Sequence, residues 1–168
     1  PQVFDAASSQ MSLSIAATNY ALSAVAVPFI AAPRQQASGV QVSVQPVEND
    51  RLAVQMERGE IDMALLTPDT TPADLHARHL FDEQYVCLLR PAHPALRHVA
   101  LWLESFCALD HALVSHSSRE FRGVTDQALA AVGRQRRVTL AVNSFLVLPQ
   151  ILRSSDLIAV VPRRLAES

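Results

Sequence analysis

Residues 52–66 read LAVQMERGEIDMALL, and the spacing of their apolar positions changes halfway along. Leu52 and Met56 stand four apart, which stacks their side chains on one face of a helix. Gly59 follows, the residue type that most easily takes the left-handed conformation ending a helix. From Ile61 to Leu66 the chain is apolar except for Asp62, the pattern of a strand buried on both faces of a parallel sheet. A helix that turns at a glycine into a buried strand predicts an α/β layer.

The residues on either side extend this pattern. Upstream, Val40, Val42 and Val44 alternate with polar residues as a strand stopped by Pro46, after which Asn49 or Asp50 is expected to cap the helix carrying Leu52. Residues 1–10 read as a polar leader, and in residues 11–16 Met11, Leu13 and Ile15 alternate with Ser12, Ser14 and Ala16 as the first strand. Thr18 and Asn19 come next, both able to accept from the free N–H groups at a helix start. The helix they open carries Leu22, Val25, Ala26, Phe29 and Ile30 on one stripe. Pro28 lies inside it; having no N–H and crowding the Ala24 carbonyl, it predicts a kink or a restart. Strand, helix, strand, helix, strand makes a doubly wound lobe.

Downstream, residues 76–81 and 84–90 read as extended segments, and the proline-bearing residues 91–94 break the pattern as a crossover would. The boundary is therefore expected at residue 90, with residues 1–90 a first lobe and residues 91–168 a second. In the second lobe, residues 112–115 predict a strand, residues 124–132 a helix ended by Gly133, and residues 138–142 a strand with Val138, Leu140 and Val142 on one face. Asn143 and Ser144 are expected to cap a helix containing Phe145, Leu148, Pro149 and Leu152. Residues 157–161 form a wholly apolar strand, and Pro162 suits the first turn of a helix over residues 163–166.

Composition narrows the function classes. With 49% hydrophobic and 18% charged residues the chain can bury a core and is not of the disordered type. A net charge of −2 argues against the broad basic face with which nucleic-acid binders neutralise phosphates, so DNA contact is expected outside these residues. No run reaches the roughly 18 apolar residues of a membrane span, and no export leader is recognisable, which predicts a cytoplasmic protein without membrane contact. Cys87 and Cys107 form no metal or redox motif and read as reduced, buried thiols. His76 and His79 project to opposite faces of an extended segment, and His111 and His116 lack Cys or acidic partners at ligand spacing, so no metal is expected. No G-x-S-x-G elbow and no glycine-rich phosphate loop occurs, so neither enzyme chemistry nor a cofactor is expected.

Three stretches together resemble the effector-binding (substrate-binding) domain of LysR-type transcriptional regulators. They are residues 52–66, residues 85–94 (YVCLLRPAHP) and residues 142–165 (VNSFLVLPQILRSSDLIAVVPRRL), in that order along the chain. The resemblance implies a two-lobe α/β fold similar to type 2 periplasmic binding proteins, each lobe a mostly parallel sheet flanked by helices. It further implies a small-molecule sensor that catalyses nothing, carried with a winged helix-turn-helix and a return strand and helix that residues 1–168 do not include. Where the family commonly has Ser-Asp-Tyr after its first strand, this chain has Thr18, Asn19 and Tyr20, which keeps hydrogen-bonding ability but removes a carboxylate. The family's dimers imply a homodimer, and possibly a tetramer of the full-length protein. In them the first helix, residues 22–37 with the outer residue Ala32, would meet the helix at residues 124–132 of the other chain.

In such a fold the strand ends and helix starts of both lobes face one cleft, the usual ligand position in open α/β sheets. The effector-binding candidates are therefore Thr18, Asn19 and Tyr20; Thr67 and Pro68; Ser115, His116 and Ser117; and Ser144 and Phe145. Helix N-termini favour negative charge, so a small organic anion is expected, with an aromatic acid one form of it. Other roles stay open for these residues: Thr18 and Ser144 would cap helices in any protein, Phe145 suits a core, and His116 suits an exposed loop. Asp62 is read as a structural acid at a strand entrance. A periplasmic solute-binding protein for uptake, or an α/β enzyme with a dispersed site, are the rival readings.

Overall fold

The computed structural model describes residues 9–31, 37–97, 101–115 and 121–167. Most of the expected polar leader, Ala32 with the rest of residues 32–36, and the loop holding His116 and Ser117 lie outside the described residues. The chain forms two compact units, Pro1–Phe81 and Asp82–Ser168, each with its own sheet and its own core.

The first unit is a three-stranded parallel sheet in the order β2–β1–β3, formed by β1 (Ser12–Ala17), β2 (Gln41–Gln45) and β3 (Met63–Leu65). β1 is central, pairing Ser12 with Gln41 on one side and Ala17 with Leu65 on the other. Central position explains why Ile15, Ala16 and Ala17 are all buried. The strand expected over residues 61–66 is shorter and more exposed than its apolar run suggested. Only Met63–Leu65 pair, Met63 is 38% exposed, and among the described residues the strand has a neighbour on one side only. Asp62 does act as a structural acid: its Oδ2 accepts from the Ser14 N–H at 2.7 Å while its own N–H donates to the Ser14 carbonyl at 2.9 Å.

The helix after β1 is broken where Pro28 predicts. It runs as α1 (Asn19–Ala21), a wide π-type turn (Leu22–Ala26) and α2 (Val27–Ala31). In the wide turn the Val27 N–H donates to the Leu22 carbonyl five residues back; the next residue, Pro28, has no N–H to continue the regular ladder. The extra residue rotates the succeeding turn about the axis, so a stripe counted at 3.6 residues per turn loses register. Ala26 is buried as expected, but Leu22 and Phe29 are 36% and 49% exposed.

Helix α3 (Leu52–Glu57) is not capped by Asn49 or Asp50; its N-cap is Arg51, with no side-chain cap. A turn does the work instead, with the N–H groups of Arg51 and Leu52 both donating to the Glu48 carbonyl at 2.9 Å. Its end is the glycine stop read from the sequence. Gly59 has φ +68°, its N–H donates to the Met56 carbonyl, and the Glu60 N–H donates to that of Gln55. Leu52 and Met56 pack with Ala16 and Ile61 in the core of this unit.

The second unit is a four-stranded sheet in the order β4–β7–β5–β6. Its strands are β4 (Tyr85–Leu88), β5 (Asp110–Val114), β6 (Arg137–Val142) and β7 (Ile158–Pro162). β4 runs antiparallel to β7 and the other pairs are parallel. Thus β4, which the sequence reading counted with residues 1–90, pairs within the second unit. Residues 76–81 form no strand. Helix α4 (Leu103–Ala108) was not anticipated; it carries Leu103, Phe106 and Cys107 on one stripe but buries no residue fully. Helix α5 (Val124–Ala131) ends at Gly133, φ +68°, by the same pair of backbone bonds as α3. Helices α6 (Leu148–Arg153) and α7 (Arg163–Ala166) flank β7. Pro149 falls in the first turn of α6, where its missing N–H costs nothing. Leu148 and Leu152, one turn apart, pack with Ala112, Ala159 and Val161 in the core.

Candidate functional site

In each unit the candidate residues stand where adjacent parallel strands end. In the first, Thr18 follows β1 directly and Thr67 lies two residues beyond Leu65 of the neighbouring β3. Thr18 takes extended dihedrals and its Oγ1 accepts from the Ala21 N–H at 3.2 Å, so it is a helix cap. Asn19 and Tyr20 form the first turn of α1. Thr67 caps a short 3-10 turn, Pro68–Thr70, in which Pro68 sets the first dihedral. Its carbonyl accepts from the hydroxyls of Thr70 and Thr71, and its own hydroxyl meets that of Thr70 at 3.2 Å.

In the second unit, Ser115 extends β5 by one bond, its N–H donating to the Val142 carbonyl of β6 at 2.8 Å. Ser144, two residues past the end of β6, accepts from the Leu146 N–H at 3.2 Å and caps a 3-10 turn, Phe145–Val147, that runs into α6. Phe145 is half-buried against the core, as its core reading had it. His116 and Ser117 lie outside the described residues.

Thr18 and Ser144 therefore perform the structural task that any cap performs. A capped hydroxyl uses its oxygen as acceptor, and its own O–H hydrogen stays available as a donor. Beside Ser144 stands Leu146, 85% exposed, an apolar surface next to that donor. A shallow pocket lined by Arg90, Arg153, Ser154, Ser155 and Asp156 lies at the other end of α6. Its Arg90 is already tied to Asp156 through Nη2–Oδ1 at 2.6 Å and Nε–Oδ1 at 3.0 Å, so it offers an anion little.

Sequence reading missed a buried polar cluster beneath the second sheet. Arg136, its side chain 1% exposed, makes a two-pronged ion pair with Asp126 on α5: Nε–Oδ1 at 2.9 Å and Nη2–Oδ2 at 2.8 Å. Asp126 Oδ2 also accepts from the Gly123 N–H at 2.8 Å. Burial by itself would raise the Asp126 pKa, but the Arg136 pair and the Gly123 N–H outweigh it and hold the carboxyl below 3.8. Arg136 Nη1 lies 3.4 Å from Nδ1 of His111, which is fully buried, and His111 Nε2 lies 2.9 Å from the Phe106 carbonyl. Burial chiefly, and Arg136 in addition, lower the His111 pKa below 6.5 against the opposing Phe106 bond. Burial pushes the Cys87 thiol up to about 11 despite Arg136. No simple parity pointed to it: the register shifts between His111 and Ala112, so Val138 stands opposite His111 but Leu140 opposite Ala112, and the alternation of β6 is broken just after Val138.

Among the described residues no group of His, Cys, Asp or Glu is placed to hold a metal ion, and no helix is long and apolar enough to cross a membrane.

Two α/β units whose parallel strands end in short polar turns define a ligand-binding domain of the type 2 periplasmic-binding-protein-like fold. The family model described as LysR substrate binding domain matches residues 6–168. The HTH-type transcriptional activator NagR of Ralstonia sp. is 32% identical over 163 residues, 97% of this chain and 54% of that protein. In structure, a probable transcriptional regulator, PA0477, from Pseudomonas aeruginosa has a TM-score of 0.86 at 29% identity, covering 98% of this chain and 55% of that one. The regulatory domain of MexT, a transcriptional activator of the same organism, has a TM-score of 0.78 at 26% identity, covering 96% of this chain and 76% of that domain. The chain belongs to the LysR substrate-binding domain family, the ligand-binding regulatory part of a non-enzymatic family of transcriptional regulators. It spans about half the length of the curated relatives it matches.

Proposed function

We propose that this domain senses a small organic anion, with aromatic acids the first class to test, and so controls transcription through a DNA-binding part of a longer cytoplasmic protein. The observation that carries the reading is the recurrence, in both units, of hydroxyl-bearing turns at the ends of neighbouring parallel strands: Thr18 with Thr67, and Ser115 with Ser144. Such ends offer hydroxyl donors and backbone N–H groups, which suit a carboxylate. Exposed Leu146 beside Ser144 suits an acid with an apolar body. The effector residues of this proposal are Thr18, Asn19, Tyr20, Thr67, Pro68, Ser115, His116, Ser117, Ser144 and Phe145. The names of relatives such as the HTH-type transcriptional activator NagR and the HTH-type transcriptional regulator SyrM 1 support the role in transcription. Exposed apolar side chains on α2 (Val27, Phe29) and α5 (Val124) support a homodimer.

Calorimetric titration with a panel of aromatic and aliphatic acids tests the proposal. Hydrogen bonds to a charged group contribute roughly 1.5 to 3 kcal/mol, so Ser144→Ala is expected to weaken the best-bound acid about ten- to a hundredfold. Loss of the cap costs only about 1 kcal/mol of stability, leaving the fold intact. Unchanged affinity in a folded variant removes Ser144 from the site.

A further inference from the structure

The hydrogen bonds around His111 admit one charge state. The Phe106 carbonyl can only accept, so Nε2, 2.9 Å away, carries the ring proton. That leaves the lone pair of Nδ1 facing the Nη1 of Arg136 at 3.4 Å, and a guanidinium can only donate. A second proton on His111 would set N–H against N–H and bring two positive charges together in a buried place. Among the described residues, the carboxylates that act on His111, Asp126 and Asp110, are both already paired. Both oxygens of Asp126 are bonded to Arg136, and Oδ2 also holds the Gly123 N–H. Asp110, beside His111 on β5, is paired with Arg137 of β6. Cys87 of β4 stays a neutral thiol well above physiological pH. The ladder partners of His111, Val138 of β6 and Ile158 of β7, are apolar, and α4 adds the edge-on Phe106 ring at 4.6 Å.

The same bonds join four pieces of the second unit: α4 through Phe106, β5 through His111, the chain entering β6 through Arg136, and α5 through Asp126 and Gly123. We propose that this cluster is a proton-sensitive latch, closed by neutral His111 and opened by one proton at Nδ1, that holds α4 and α5 on the second sheet. His111 is the second residue of β5, whereas Ser115 and Ser144 follow the far ends of β5 and β6, so the latch and the proposed effector residues are separate.

The direction of the pH effect follows from linkage. The His111 pKa lies below 6.5 in the folded chain, so the unfolded chain binds its proton more readily. The contribution of the latch is complete above 6.5 and is lost progressively as pH falls below that value. The Asp126 contribution is lost only as pH falls below 3.8, a separate window.

Imidazole ¹H–¹⁵N spectra of the chain, together with melting curves of wild type and His111→Gln between about pH 7.5 and pH 5, test the latch. We expect His111 as the Nε2–H tautomer, titrating below 6.5, with backbone amides of α5 exchanging about tenfold faster at the acid end after correction for intrinsic rates. The wild-type melting temperature falls by several degrees over the range, and His111→Gln loses most of that dependence. A His111 that titrates at or above 6.5, or a folded variant that melts with the wild-type pH dependence, overturns the proposal. If His111→Gln does not fold, the wild-type titration and exchange decide by themselves.

Discussion

Single residues act here through backbone geometry as much as through side-chain chemistry. Gly59 and Gly133 both sit at φ +68°, and a Cβ built on either meets nothing within 4 Å. The cost of a side chain at these positions is therefore backbone strain alone, about 1 to 2 kcal/mol for the left-handed region. Gly133→Ala is expected to lower stability by about 1 kcal/mol in urea titration, with an unchanged slope, and Gly133→Asn by less, since asparagine tolerates that region better. Both glycine stops were legible in the sequence because the signal and its cause lie within one turn. His111 and Arg136 were not, because each owes its meaning to a partner that folding alone brings near.

At the scale of elements, α6 separates packing from exposure over a few residues. Leu148 and Leu152 are buried against β5 and β7, whereas Leu146 in the preceding turn is not. Leu152→Ala removes core volume and is expected to destabilise by about 2 to 5 kcal/mol. Leu146→Ala is expected to change stability by no more than about 0.5 kcal/mol. Thermal unfolding of the two variants side by side checks the contrast; equal losses would mean that α6 packs in another register. The apolar spacing that predicted α6 holds because nothing interrupts its ladder once Pro149 falls in the first turn. The same kind of spacing failed in the first helix, because Pro28 forces a wide turn that no periodicity count includes.

At the scale of the whole molecule, charge is small in sum, and several of the described arginines are locally compensated. Net charge is −2, and Arg51, Arg90, Arg134, Arg136 and Arg137 each sit against an acidic partner. Phosphate neutralisation needs unpaired cations in a stripe, so this chain alone is expected to show no sequence-selective DNA binding at physiological salt. A gel shift or anisotropy titration checks this; sub-micromolar, sequence-dependent binding would require a basic surface that these pairings do not offer.

Local periods carry much of this protein. Alternation along residues 11–16 and 138–142, four-residue spacing in residues 52–56, and the two glycine stops determine by themselves which segments become strands and helices, since each depends on neighbours a turn or less away. Asp62 was readable as structural for the same reason of place, at the entrance to an apolar strand. Tertiary structure alone decided that β4 pairs with β7, that β3 pairs with β1, and that an arginine, an aspartate and a histidine share a buried cluster. Those outcomes rest on contacts between residues tens of positions apart, and their free energy exists only once the chain has closed the loops between them.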